Sequence, residues 1–111
     1  MPYDPAIAER LRAALAALPD VREKRMFGGV SFMVHDRLTA CADSGGGLMV
    51  RCAAERAGEL LARPGASRPV MRGREMSAGW IVLDAAAVES DVDFRFWLDE
   101  ALAHNRAVTE T

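Results

Sequence analysis

The stretch GVSFMVHDRLTACADSGGGLMVRC, residues 29–52, carries the strongest structural pattern of the chain. Three runs rich in strand-forming residues alternate in it with two turn signals. The runs are Gly29–His35, Leu38–Asp43 and Leu48–Cys52. A polar tripeptide at 35–37 and the glycines at 45–47, which tolerate positive φ, separate them. The stretch therefore predicts an antiparallel meander.

The second turn also predicts which residues face one another. If it centres on Gly46-Gly47, Cys41 and Cys52 are equally far from the turn and lie opposite each other in the ladder. The two cysteines would then be cross-strand neighbours. Whether they join stays open, because a lone pair of cysteines in a reducing compartment is usually two free thiols.

Further elements flank the meander. Asp4 before Pro5 is an N-cap with a first-turn proline, and apolar residues at helical spacing predict a helix over 5–18. The charged segment Val21–Met26 is predicted to be an edge strand whose charges face water. The meander thus has three or four strands. Ala53–Arg63 is rich in helix formers and predicts a second helix.

The C-terminal half predicts two short strands and a final helix. One strand is expected near Val70, followed by a bend, and Trp80–Leu83 is predicted to be a buried strand. Ser90 is a predicted N-cap for a helix that runs to about His104, and residues 108–111 are expected to fray. The order α, three or four β, α, two β, α predicts a two-layer α+β fold, an antiparallel sheet with helices on one face.

Length and composition indicate one globular domain. The 111 residues, half of them apolar, suffice for a single core, so we expect one domain over 1–111 with its core at about 3–105. No apolar run approaches the roughly 20 residues of a membrane helix, and the N-terminus lacks a signal-peptide pattern. We expect a cytoplasmic protein. The net charge of −2 and the pI of 5.6 argue against nucleic-acid binding by the chain alone.

The segment 63–74 holds the one concentrated group of positive charges and contains no acidic residue. Its arginines are Arg63, Arg68, Arg72 and Arg74. Guanidinium groups suit a phosphate, an acidic partner or a nucleic-acid backbone. The segment 84–100 carries six acidic residues against Arg95 alone. An intramolecular or dimeric pairing of the two segments is the simpler interpretation.

No residue set has the pattern of a catalytic or metal site. Ser31 lacks the context of a nucleophile elbow, and Cys41, Cys52 and His35 lack the paired spacing of zinc ligands. A redox-sensing disulfide between the cysteines stays an alternative that requires exposed thiols of low pKa. His104 is expected to interact with the helix dipole. The triple glycine joins two strands, whereas a phosphate-binding loop leads into a helix. We predict no catalytic residue, no metal and no cofactor.

The block RMFGGVSFM, residues 25–33, resembles the Met-Phe-Gly-Gly signature of the TfoX/Sxy family in its TfoX-like N-terminal domain. The signature residues are Met26, Phe27, Gly28 and Gly29. Further family landmarks match in order at Leu48–Arg51, Gly73, Arg74, Met76, Gly79-Trp80 and Trp97. The resemblance spans Tyr3 to about Ala103.

The resemblance implies a two-layer fold similar to secretion-chaperone-like domains. It also implies a link to the regulation of competence genes alongside a cyclic-AMP receptor protein. Full-length regulators of the family carry a further C-terminal domain, whereas the resemblance here covers only the first. The signature block is either a binding surface or a bulge or bend whose glycines are structural while Met26 and Phe27 fill the core, and we favour the second.

Together these observations predict a non-enzymatic regulatory or adaptor domain that binds a protein partner. Its binding surface would be a sheet face or the arginines of segment 63–74, and the resemblance implies a transcription factor of the cyclic-AMP receptor type as partner. The alternative is a small-molecule-binding or enzymatic domain with a pocket between sheet and helices. We expect a monomer or homodimer, with neither a membrane nor, for the chain alone, nucleic acid as a partner.

Overall fold

The computed structural model describes residues 3–26 and 28–110, which form a mixed α+β domain. The helices are α1 (Pro5–Leu15), α2 (Ala57–Leu61) and α3 (Asp91–Thr109). The strands are β1 (Val21–Met26), β2 (Gly29–Val34), β3 (Arg37–Ala42), β4 (Leu48–Arg51), β5 (Ala66–Ser67), β6 (Val70–Met71), β7 (Arg74–Glu75) and β8 (Trp80–Leu83). Short 3-10 turns at Ala54–Arg56 and Ala85–Val88 precede α2 and α3.

The main sheet has six strands in the order β1-β2-β3-β4-β8-β5, and every neighbouring pair is antiparallel. The predicted meander is therefore confirmed, with four strands. His35 and Asp36, at φ 52° and 63°, form the two-residue turn between β2 and β3, a turn that matches the natural twist of a hairpin. Strand β1 lies at one edge, and its four central residues are exposed as predicted.

All three helices cover one face of the sheet. Alternate strand residues such as Ala40, Val50 and Ile81 point to that face and pack in one buried cluster with Leu11 of α1 and Leu98 of α3. The two-layer arrangement is thus confirmed. The opposite face carries a second, smaller apolar cluster. Its members are Cys41, Met49 and Trp80, with Leu38, Met76 and Val82 packed against them.

The predicted pairing of the cysteines is wrong. Asp43 N donates to Gly47 O at 2.9 Å, so the turn centres on residue 45 and Cys41 lies opposite Met49. Cys41 therefore belongs to the small cluster on one face, whereas Cys52 packs under the helices on the other. An odd shift in register moves a side chain to the other face of a sheet. Both cysteines are buried free thiols.

The strand predicted near Val70 is present, but it is not part of the main sheet. Among the described residues it pairs with β7 alone, and the two strands form a separate hairpin. The partner of β8 on this side is instead the two-residue strand β5. Strands of two residues carry too little alternation to show from the sequence which sheet they join.

Helix α3 extends past His104 to Thr109, so the predicted end of the helix is wrong. The reason is Asn105, a buried polar residue whose Nδ2 donates to Val34 O at 3.0 Å and to Thr39 Oγ1 at 3.3 Å. Thr39 is the extra residue of a bulge between β2 and β3, which turns its side chain toward α3. These bonds tie the last turns of α3 to the sheet. Helix α1, in contrast, ends at Leu15, three residues earlier than predicted.

Candidate functional site

The glycines of the signature block lie at the turn between β1 and β2. Gly28 has a φ of 76°, which favours glycine, and a Cβ on Gly29 would lie 2.3 Å from Ala42 O of the neighbouring strand. Gly28 thus has a conformational role in the turn, and Gly29 has a steric role in the sheet. Met26 is half-buried, and Phe27 lies outside the described residues.

Gly79 and Trp97 also occupy structural positions. Gly79 has a φ of 104°, its carbonyl accepts from Cys52 N at 2.7 Å, and a Cβ there would lie 2.6 Å from Cys52 O. Trp97 is buried in the main core and meets Phe96 edge to face at 5.3 Å between ring centroids. The remaining landmarks, Gly73, Arg74 and Met76, lie on the hairpin formed by β6 and β7.

Residues 68–76, here called the arginine hairpin, project three of the four predicted arginines from one small element. Val70 pairs with Glu75 and Met71 with Arg74, and Met76 N donates to Pro69 O at 2.9 Å to close the base. Val70 is 63% exposed. The hairpin is anchored by Met76, which packs against the cluster that contains Trp80.

The charges of the arginine hairpin are unequally neutralised. Arg68 lies 3.6 Å from the carboxylate of Glu75, a surface ion pair of small energetic value. Arg72 and Arg74 are exposed, and neither has an ion-pair partner within residues 3–26 and 28–110. The tip of the hairpin therefore presents two free guanidinium groups to solvent.

Arg72 also has an unusual backbone. Together with Gly73 it forms the two-residue hairpin turn, and its φ is 54°. The other positive-φ residues besides glycine within the described part of the chain are two aspartates and a histidine, types enriched in that region. An arginine there costs about 1 kcal/mol relative to a residue that tolerates this conformation.

Within one chain, the basic segment 63–74 and the acidic segment 84–100 form no ion pair among the residues that the structure describes, so the intramolecular form of the predicted pairing is wrong, while a dimeric pairing stays a prediction. Arg63 lies over the ring of Phe96 on α3, 3.8 Å from its centroid, in a cation–π contact. Acidic residues of segment 84–100 form ion pairs with other arginines. Glu100 pairs with Arg56 at 2.7 Å, and Asp99 pairs with Arg95 on the same helix at 2.8 Å.

A second basic region was not predicted. A cleft of about 310 Å³ opens where the C-terminal half of α3 meets β3, β4 and β8. We call it the cationic cleft, defined by Arg37, Thr39, Arg51, Trp80, His104 and Asn105. Arg51 lies over the ring of Trp80 at 5.1 Å. These residues are far apart in the chain and share no local pattern, so only the fold could reveal the site.

His104 is not at a helix end, which corrects its predicted interaction with the dipole. It lies one turn before the end of α3 and lines the cationic cleft. Burial and, to a smaller extent, the charges of Arg51 and Arg37 lower its pKa, while Glu55 acts in the opposite direction. The cleft therefore disfavours a further positive charge.

The thiols and the buried serine have the properties of packing residues. Burial raises the pKa of Cys41, although the Ser31 hydroxyl, which donates to its sulfur at 3.4 Å, opposes the shift. Burial raises the pKa of Cys52 to about 12. Such thiols are poor nucleophiles at neutral pH. Within the described residues no group of three or more His, Cys, Asp or Glu side chains is placed to hold a metal ion.

Comparison with protein families gives one decisive result, a match to the model of the TfoX N-terminal domain over residues 13–105. The chain belongs to the TfoX N-terminal domain family. The match covers nearly all of this TfoX N-terminal domain and includes the signature block, the arginine hairpin and the lining of the cationic cleft up to Asn105. Neither curated proteins nor solved structures gave a match. No helix in residues 3–26 or 28–110 is long and apolar enough to cross a membrane.

Proposed function

We propose that this TfoX N-terminal domain is a non-enzymatic regulatory domain that binds an acidic surface of a protein partner through the arginine hairpin. Family membership suggests a regulatory role related to competence. The observation that carries the proposal is that Arg72 and Arg74 are exposed on a hairpin separate from the main sheet and have no ion-pair partner within residues 3–26 and 28–110.

The hairpin has features that an isolated structural turn does not require. Its two-residue strands leave Val70 exposed, so it adds little to the core. A left-handed arginine at its tip makes the turn less stable than asparagine would. Residues that lower the stability of the fold without adding a stabilising contact are typical of functional positions. Planar guanidinium groups also bind carboxylates in a bidentate manner, which supports recognition of an acidic partner.

The partner would be a transcription factor of the cyclic-AMP receptor type, in keeping with the family resemblance. The domain would act by contacting that protein, with arginines of the hairpin facing carboxylates on it. The inert thiols and the structural position of Ser31 favour this role over an enzymatic one.

Affinity purification of the tagged full chain from its native cells tests the proposal. In one variant Arg68, Arg72 and Arg74 are replaced by alanine, and we expect clearly lower recovery of the partner, as follows from a loss of affinity of roughly tenfold, about 1.4 kcal/mol. The matched control replaces Arg22, Lys24 and Arg25 of β1, three exposed cations at the far edge of the sheet. Equal recovery of the partner with both variants would reject the hairpin as the binding surface.

A further inference from the structure

The cationic cleft has the dimensions of a small-molecule site. Its volume of about 310 Å³ lies at the lower end of the range for ligand pockets. At about 30 Å³ for each water-sized group, it holds a ligand of roughly ten non-hydrogen atoms. Its walls combine the polar side chains already described with the apolar side chains of Leu38, Ala101 and Val108.

The charge of the cleft is strongly one-sided. Arg37 and Arg51 line it, and neither has an ion-pair partner in the described part of the chain. No carboxylate lines the cleft among these residues, and Glu55 is the acidic residue that acts on His104 from nearby. The C-terminal end of α3 contributes about half a negative charge, which two guanidinium groups outweigh.

A shallower pocket shares Arg37 and Val108 with the cleft and continues this basic surface. It is lined by His35 and Arg106 as well as by Glu110, so cationic groups outnumber the carboxylate there too. Arg51 lies 5.1 Å from the centroid of the Trp80 ring, in a cation–π contact, and its guanidinium has several N–H donors that suit an anion.

We propose that the cationic cleft binds a small organic anion, with its phosphate or carboxylate group held by Arg37 and Arg51 and its apolar part against Leu38 and Val108. This site is separate from the arginine hairpin, so it does not depend on the proposed partner. His104 positions the ligand from α3. After burial, the charges of Arg51 and Arg37 lower the pKa of His104, and a bound anion would oppose this effect of the two arginines.

Amide and imidazole NMR spectra of the full chain test the site with three probes, namely inorganic phosphate, monobutyl phosphate and butyrate. We expect saturable shifts of the Trp80 indole, the Asn105 side-chain amide and the His104 ring. Monobutyl phosphate should bind at least about tenfold tighter than inorganic phosphate, since its butyl chain leaves water when it packs against Leu38 and Val108. Comparison of the butyl phosphate and butyrate arms identifies which anionic group the cleft prefers.

Variants make the test specific. Arg37→Gln and Arg51→Gln should each weaken binding about tenfold or more, whereas Arg95→Gln on the outer side of α3 should leave it unchanged. Amide spectra of each variant verify the fold, and the Arg37 variant is informative even if Arg51 proves necessary for packing on Trp80. Absence of shifts with all three probes, or equal binding by the control and both cleft variants, would overturn the proposal. Equal affinity for inorganic phosphate and monobutyl phosphate would contradict the proposal that the ligand has an apolar part bound against Leu38 and Val108.

Discussion

Replacing Arg72 by asparagine should stabilise the fold while weakening partner binding. Arg72 is held at a φ of 54°, where most L-residues are strained by about 1 kcal/mol and asparagine is tolerated. We therefore expect Arg72→Asn to raise the free energy of unfolding by about 0.5–1 kcal/mol. For a domain of this size the melting temperature should rise by roughly 2–6 °C.

The matched control is Arg74→Asn, the same chemical change two residues away. Arg74 lies in β7 and has no positive φ, so asparagine relieves no strain there and should lower stability by up to about 0.5 kcal/mol. Circular dichroism during thermal and urea unfolding measures both variants. Both should recover less partner, although one is more stable and the other less. A melting temperature for Arg72→Asn at or below that of Arg74→Asn would refute the strain argument.

Three further predictions concern the rest of the fold. Gly47→Ala should destabilise by about 3 kcal/mol, because a Cβ there would lie 1.9 Å from a carbonyl oxygen of β8, whereas Gly58→Ala, with open space around it, should be neutral or slightly stabilising in urea unfolding. Cys41 and Cys52 should react with a thiol reagent only as fast as the chain unfolds, since burial raises both pKa values, and rapid labelling of the native protein would contradict this. Because the pKa of His104 is lowered in the fold, the unfolded chain binds a proton on this imidazole more readily than the folded chain does. The free energy of unfolding should therefore fall as the pH drops below about 6.5. The variant His104→Gln should reduce this dependence of stability on pH.

The strand meander was predictable because its signals are local. Val30, Phe32 and Val34 alternate in a strand bounded by a polar turn, and the charges of β1 indicate an exposed edge. The N-caps of α1 and α3 were equally clear, and Asp4 and Ser90 accept hydrogen bonds as expected. Such features depend on neighbours a few residues away.

The errors arose where distant contacts decide the outcome. Three consecutive glycines allow several turn centres, and only packing across the sheet selects the register that separates Cys41 from Cys52. The end of α3 depends on hydrogen bonds between Asn105 and residues about 70 positions away. The cationic cleft likewise assembles Arg37, Arg51 and His104 from three separate elements.

The candidate site on the hairpin was partly predictable. Its arginines stood out in the sequence as a run of positive charge, but charge alone could not show that Arg63 contacts the ring of Phe96 whereas Arg72 and Arg74 lie on a separate hairpin. The sequence also favoured pairing with the acidic segment. Within the described residues, Asp91 and Glu100 of that segment pair instead with Arg10 and Arg56, and no ion pair joins the segment to the hairpin.

Site-specific photo-crosslinking in native cells tests most directly whether the arginine hairpin is the partner-binding surface. A photoreactive amino acid replaces Val70, which is 63% exposed on the hairpin, or Val92, which is 79% exposed on α3. Since both valines are exposed, neither substitution should disturb the core. The proposed function predicts covalent capture of the co-purifying partner from position 70 and not from position 92. Capture from position 92 alone, or from neither position while the partner still co-purifies, would contradict it.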